Sequence, residues 1–188
     1  MELTSTCCFT GHRPAKLPWK TNEQDPRCLA LKASMVREIE GLYARGFRHF
    51  ISGMALGCDL YFAEAALSLR SRLPSLTVEC ALPFPGQADR WSRASRARWL
   101  AAVEACDLET VVQQDYDCAC MFRRDRYMVD RSALVLAVFG DSAGGTKYTL
   151  DYAAQKHREI LLLDLNRPEA AAVRMESGAA PQPGPDGP

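Results

Sequence analysis

The segment Ala133–Phe139 reads ALVLAVF, an unbroken apolar run. A strand with one wet face alternates apolar and polar residues. A continuous run of this length fits a strand covered on both faces, and such strands belong to parallel sheets with helices above and below. This run therefore asks the rest of the chain for a particular set of partners: further short strands, separated by helices.

The chain supplies them. Thr6–Thr10 (TCCFT) is short and β-prone, and it stops at Gly11. Leu29, Leu31, Met35, Val36, Ile39, Leu42 and Tyr43 recur at helical spacing over residues 28–45. Gly46 follows where a left-handed helix cap is expected. Phe47–Ser52 reads as a strand, Asp59–Leu73 as a helix ended by Pro74, and Leu76–Leu82 as an alternating strand stopped by Pro83. Gln87–Cys106 is predicted helical, with Trp91, Trp99, Val103 and Cys106 on one face and Arg90, Arg93 and Arg96 on another. A short strand over Glu109–Val112, a helix over 119–131, a helix over Thr146–Lys156 and a strand over Ile160–Leu165 complete the order. The predicted fold class is α/β: a Rossmann-like, doubly wound, mainly parallel sheet with helices on both faces. Residues 1–166 read as the domain and 167–188 as a flexible tail, because Ser177–Pro188 (SGAAPQPGPDGP) is too rich in Gly and Pro to bury a core.

Composition narrows the function classes. The 188 residues suit one domain, and 47% hydrophobic content excludes a wholly disordered chain. Lys plus Arg equals Asp plus Glu at 23 each, so the basic excess of a dedicated nucleic-acid binder is missing and nucleic acid is disfavoured as a partner. The eight Cys lie mostly in apolar runs, without C-x-x-C or zinc-ligand spacing. They are expected to be reduced and structural, with no metal and no cofactor. The first ten residues do not read as a secretory signal, and no apolar stretch approaches the roughly 20 residues of a membrane span. A cytoplasmic location is expected, with self-association into a homo-oligomer left open.

In open parallel sheets, ligands bind beyond the carboxyl ends of the strands. Four segments fall there: Gly11-His12-Arg13-Pro14, Ser52 to Asp59 (SGMALGCD), Pro83 to Gln87, and Gly140 to Thr146 (GDSAGGT). Gly53 and Gly57, and then Gly144 and Gly145 before Thr146, sit where backbone turns sharply or nears a ligand. Each loop opens a helix whose free N–H groups favour an anion. Either loop alone is equally read as a tight turn; the pair favours a ligand. Arg13 and Arg124 suit phosphate, because the guanidinium fork matches two oxygens. Asp59 suits ribose hydroxyls or a helix cap, and His12 suits acid–base chemistry. No catalytic constellation can be read from spacing, so the catalytic residues stay unknown.

These motifs have a family look. Ser52-Gly53-Met54-Ala55-Leu56-Gly57-Cys58-Asp59, with Ala63, Glu64, Ala66 and Leu67, resembles the helix start of DprA/Smf proteins; Gly144-Gly145-Thr146 resembles the turn of LOG-type proteins. Both belong to the SLOG superfamily. The set Gly11–Pro14 with Lys16-Leu17, Pro83-Phe84 with Gln87 and Trp91, Arg124 to Asp130, and Thr149 with Ala153 resembles the bacterial YpsA-like branch more closely. The resemblance implies a Rossmann-like domain for a nucleotide-like small molecule. Two positions depart from it. Asp125 stands where the family usually has Asn, which removes an amide donor. The helix after the G-G-T turn begins Lys147-Tyr148-Thr149, without the LOG catalytic Glu, so hydrolase activity does not transfer.

Three functions follow. The first is binding or sensing of a nucleotide or nucleotide-derived ligand. The second is hydrolysis of an N-glycosidic or phosphate bond in such a ligand, with Arg13, His12, Asp59 and Glu64 as suspects. The third is DprA-like binding of single-stranded DNA through the Arg/Trp run 90–99. That run also reads as a helix with two buried Trp and a solvated Arg face.

Overall fold

The computed structural model describes residues 3–140 and 144–175. Strands β1 (Thr6–Thr10), β2 (His49–Ser52), β3 (Thr77–Leu82), β4 (Leu108–Val111), β5 (Leu134–Phe139), β6 (Glu159–Asp164) and β7 (Val173–Arg174) form one sheet in the order β4-β3-β2-β1-β5-β6-β7. All neighbours are parallel except β6 and β7. Helices α1 (Pro26–Ala44), α2 (Cys58–Leu69), α3 (Arg93–Ala105), α4 (Cys120–Asp130) and α5 (Gly145–Gln155) cover it. Among the described residues, no helix is long and apolar enough to cross a membrane.

The apolar run does what its composition demands. Leu134, Leu136 and Val138 pack with α1 and α2 on one face, while Val135 and Ala137 pack with α4 and α5 on the other. Helix α3 joins the α2 side through Trp99, Ala102 and Val103 against Met54, Leu60 and Leu82. Six Cys are buried, and Cys7, Cys8, Cys58 and Cys80 fill these layers as small hydrophobes.

Local signals explain the helix ends. The Asp25 carboxylate accepts from the Arg27 N–H at 2.9 Å, and Pro26 starts α1 where no N–H is needed. At its other end Gly46 adopts φ +99°, and the Phe47 and Gly46 N–H groups return to Leu42 and Tyr43, closing the helix with a Schellman pair. Two helix boundaries differ from expectation by four residues or more. Helix α3 starts at Arg93, not at residue 87, because the Ser92 hydroxyl accepts from the Ser95 N–H at 3.1 Å and turns occupy 84–91. Helix α2 stops at Leu69, where a turn runs on to Leu73.

The sheet also reaches beyond residue 166, the boundary that composition suggests. The Ser34 hydroxyl donates to the Pro168 carbonyl at 2.6 Å, the Ala172 N–H donates to Glu38 at 2.9 Å, and β7 adds to β6. Ser177–Pro188 lies outside the described residues.

Candidate functional site

Strand order fixes where a crevice opens. From β1 the chain moves outward through β2, β3 and β4, then returns to place β5 against the other side of β1. From β1 and from β5 the chain therefore continues to opposite halves of the sheet, which marks the switch point where open α/β sheets hold ligands. A cleft of about 340 Å³ lies there, lined from β1 onward by Thr10, Gly11, His12, Arg13, Ala15 and Lys16. Ala55 and Asp59 border it from the start of α2, Met121, Phe122, Arg124 and Asp125 from α4, and Gly145 and Thr146 from α5. A second cavity, of about 500 Å³, sits at the amino edge of the sheet beside His49, Glu79 and Tyr127. Its polar groups satisfy one another: Glu79 accepts from Tyr127 at 2.6 Å and pairs with His49 at 2.8 Å, which in turn meets Thr77 at 2.9 Å.

The cleft gathers Gly11, His12, Arg13, Asp59, Arg124, Gly145 and Thr146 from the sequence-predicted set, but not Ser52, Gly53, Gly57 or Gly144. Those four support its walls. Ser52 is fully buried; its hydroxyl donates to the Asp59 carbonyl at 2.8 Å and accepts from the Met54 N–H at 3.2 Å. A Cβ on Gly53 would overlap the Arg124 guanidinium, which donates to the Gly53 carbonyl from Nη1. Gly57 has φ +93°, and a Cβ there would lie 2.7 Å from the His12 carbonyl oxygen. Gly57 caps α2, so Asp59 is no cap; its carboxylate accepts from the Ala55 N–H at 3.4 Å. Gly144 makes room for Lys16, whose Nζ would be 2.6 Å from an added Cβ. Gly11 lines the cleft, yet its missing Cβ mainly lets β1 approach Cys58. Among the described residues, Gly145 alone of these glycines has nothing within 4 Å of an added Cβ.

The floor is a buried ion triplet. Asp59, Arg124 and Asp125 are 6%, 5% and 7% exposed. Arg124 Nη1 lies 3.6 Å from Asp59 Oδ2, and Nε lies 2.8 Å from Asp125 Oδ1 but outside hydrogen-bonding geometry, which leaves that N–H unsatisfied. Burial pushes the Asp59 carboxyl up to about 6; Arg124 pulls against this and Asp125 adds to it. The rim is cationic and aromatic. Arg13 is exposed, its Nη2 meets only the Met121 sulfur at 3.8 Å, and no ion pair of Arg13 occurs among the described residues. Phe122 is 41% exposed and packs on Tyr148 with ring centres 4.5 Å apart.

The acid–base suspects separate. His12 is buried beside Phe139, and its Nε2 accepts from the Gly140 N–H at 3.3 Å. Burial, then Lys16, pushes its pKa down, so it sits as a neutral acceptor. Glu64 is outside the cleft, clasped by Arg98 through Nε at 2.6 Å and Nη2 at 2.7 Å. Sequence reasoning passed over Thr10, Ala15, Ala55, Met121 and Phe122 as lining residues. They carry no local signal of function; only the fold brings them to the switch point. Lys16 was visible as part of the first motif and Asp125 as a departure from the family pattern.

A model of the YspA SLOG family matches residues 7–165, from β1 past β6. The chain belongs to this family. UPF0398 protein YpsA of Bacillus subtilis is 27% identical over 155 residues, covering 80% of this chain and 84% of that protein. A UPF0398 protein of Bacillus velezensis is 28% identical over 154 residues, covering 80% and 83%. Among solved structures, DNA processing protein A of Streptococcus pneumoniae superposes with TM-score 0.56 at 14% identity, over 85% of this chain and 50% of that one. The Helicobacter pylori protein gives 0.55 at 14% identity, over 84% and 64%. This chain therefore spans about half to two thirds of those chains, and the likeness shows a shared fold. As a SLOG chain it carries the G-G-T turn at α5, but that helix contains no Glu.

Proposed function

We propose that the switch-point cleft binds a phosphate-bearing, nucleotide-like small molecule, as a binding or sensing site of a cytoplasmic protein. One observation carries the reading. The first turns of α2 and α5 border one space beside Arg13, a guanidinium with no ion pair among the described residues. Helix N-termini attract anions, and a guanidinium holds phosphate oxygens two at a time. Gly145 and Thr146 take the phosphate from the α5 side. Phe122 offers a ring for stacking, and Asp59 an acceptor for hydroxyls.

Thermal denaturation with a panel of nucleoside mono- and diphosphates tests this. A ligand at 100 times its dissociation constant should add about 2.7 kcal/mol. A panel without any shift would contradict the reading. Chromatography of the same mixtures tests the hydrolytic alternative, in which the ligand is consumed.

Single-stranded DNA is the second reading, because the Helicobacter pylori structure is described in terms of single-stranded DNA binding. The Arg/Trp run 90–99 does not favour it here. Trp91 and Trp99 pack edge to face with centres 6.1 Å apart, and Arg98 is tied to Glu23 and Glu64. An oligothymidine titration should therefore show binding weaker than the best nucleotide.

A further inference from the structure

The ion triplet at the floor of the cleft is unbalanced: two carboxylates face one guanidinium, all three nearly enclosed. We propose that the Asp59–Asp125 pair is the selectivity element of the cleft, taking up one proton when an anion binds, so that the site accepts a phosphate-like group and a proton together. This rests on the anion-binding reading above. The reason is electrostatic. An anion that enters next to Arg13 and α5 adds negative charge to a space whose floor already holds a surplus carboxylate. Beside carboxylates this deeply buried, like charges that cannot move apart are relieved by protonation.

The surroundings allow the proton: the ion pairs of Asp59 and Asp125 among the described residues run to the single guanidinium of Arg124, while Arg13 and Lys16 line the rim. Asp59, on α2, is faced by Arg124 and Asp125 on α4 and by Arg13 after β1. Lys16 stands at the rim, and His12 at the wall is neutral and already accepts from Gly140. Arg124 is spread over three partners, Asp59, Asp125 and the Gly53 carbonyl, and its Nε–H has no acceptor in hydrogen-bonding geometry. It cannot neutralise both acids. With burial and Asp125 holding the Asp59 carboxyl up at about 6, an added anion shifts it further upward. At a pH above that value the incoming anion must bring a proton, and affinity weakens as pH rises. Below it the proton is already present, and affinity is flat.

Sulfate is the probe, since it stays a dianion from pH 5 to 9 and contributes no proton of its own. Calorimetric titration of the intact protein in two buffers of different ionisation heat should show about one proton taken up per sulfate at pH 7.5, and affinity falling about tenfold per pH unit above pH 6. Asp125→Asn should abolish the uptake, flatten the pH profile and bind sulfate at least tenfold more tightly at pH 8. His12→Asn should keep the slope. Sulfate binding that is independent of pH in the parent, or a slope that survives in Asp125→Asn, overturns this inference and leaves the anion site standing. Sulfate that binds at no pH overturns the anion reading itself. Should Asp125→Asn fail to fold, the proton count on the parent alone decides.

Discussion

Gly53 and Gly57, after β2, are enclosed. The space a Cβ would need at Gly53 belongs to Arg124, and the space at Gly57 belongs to the His12 carbonyl. Gly145, at the start of α5, borders the cleft, and an added Cβ there meets nothing within 4 Å among the described residues. Both loops read in the sequence as glycine-rich strand-to-helix turns beside a ligand. In the fold they divide the labour. The first loop builds the floor by letting a buried guanidinium and a helix end come close; from the second, Gly145 and Thr146 border the cleft itself. A glycine motif thus reports close approach, and only the surroundings say whether the approaching group is the protein's own or foreign.

That contrast breaks if the two loops respond alike to side chains. Gly53→Val should have the largest effect, because it displaces Arg124 and leaves Asp59 and Asp125 buried without their cation. A loss of about 3–5 kcal/mol is expected in urea unfolding. Retained stability would mean that Arg124 has somewhere else to go. Arg13→Ala should leave unfolding unchanged and weaken nucleotide binding by about 1.5–3 kcal/mol, the range for a hydrogen bond to a charged group. Equal affinities for parent and variant would place the anion away from the β1 loop. Gly57→Ala should cost about 1–3 kcal/mol of stability through its positive φ and the His12 carbonyl, and a neutral result would dismiss the strain.

Much of the fold was legible because its signals are local. Ala133–Phe139 gives a two-face strand, Asp25-Pro26 a helix start, and Gly46 a helix end. Strands at carboxyl ends then place Arg13, Asp59 and Gly145 on one edge by geometry alone. What stayed hidden depends on contacts between distant residues. The strand β7 has two residues, and the segment leading to it is held at Pro168 and Ala172 by Ser34 and Glu38, far away in sequence. Ser52 and Gly53 were placed in the site because nothing in their neighbourhood reveals that Arg124 arrives from α4. The Arg/Trp run showed two faces but not Arg98, which the structure ties to Glu23 and Glu64 instead of leaving it in solvent.

The most direct test of a ligand-filled opening is Gly145→Val, taken with its parent through unfolding and nucleotide titration in parallel. An added Cβ meets no atom of the described residues within 4 Å, so stability should change by no more than about 0.5 kcal/mol. Every nucleotide-induced shift of the parent should disappear, because the side chain occupies the mouth of α5 where the phosphate would sit. A Gly145→Val protein that binds each nucleotide as the parent does would contradict the account: the cleft would then be a feature of the fold, with the ligand held elsewhere.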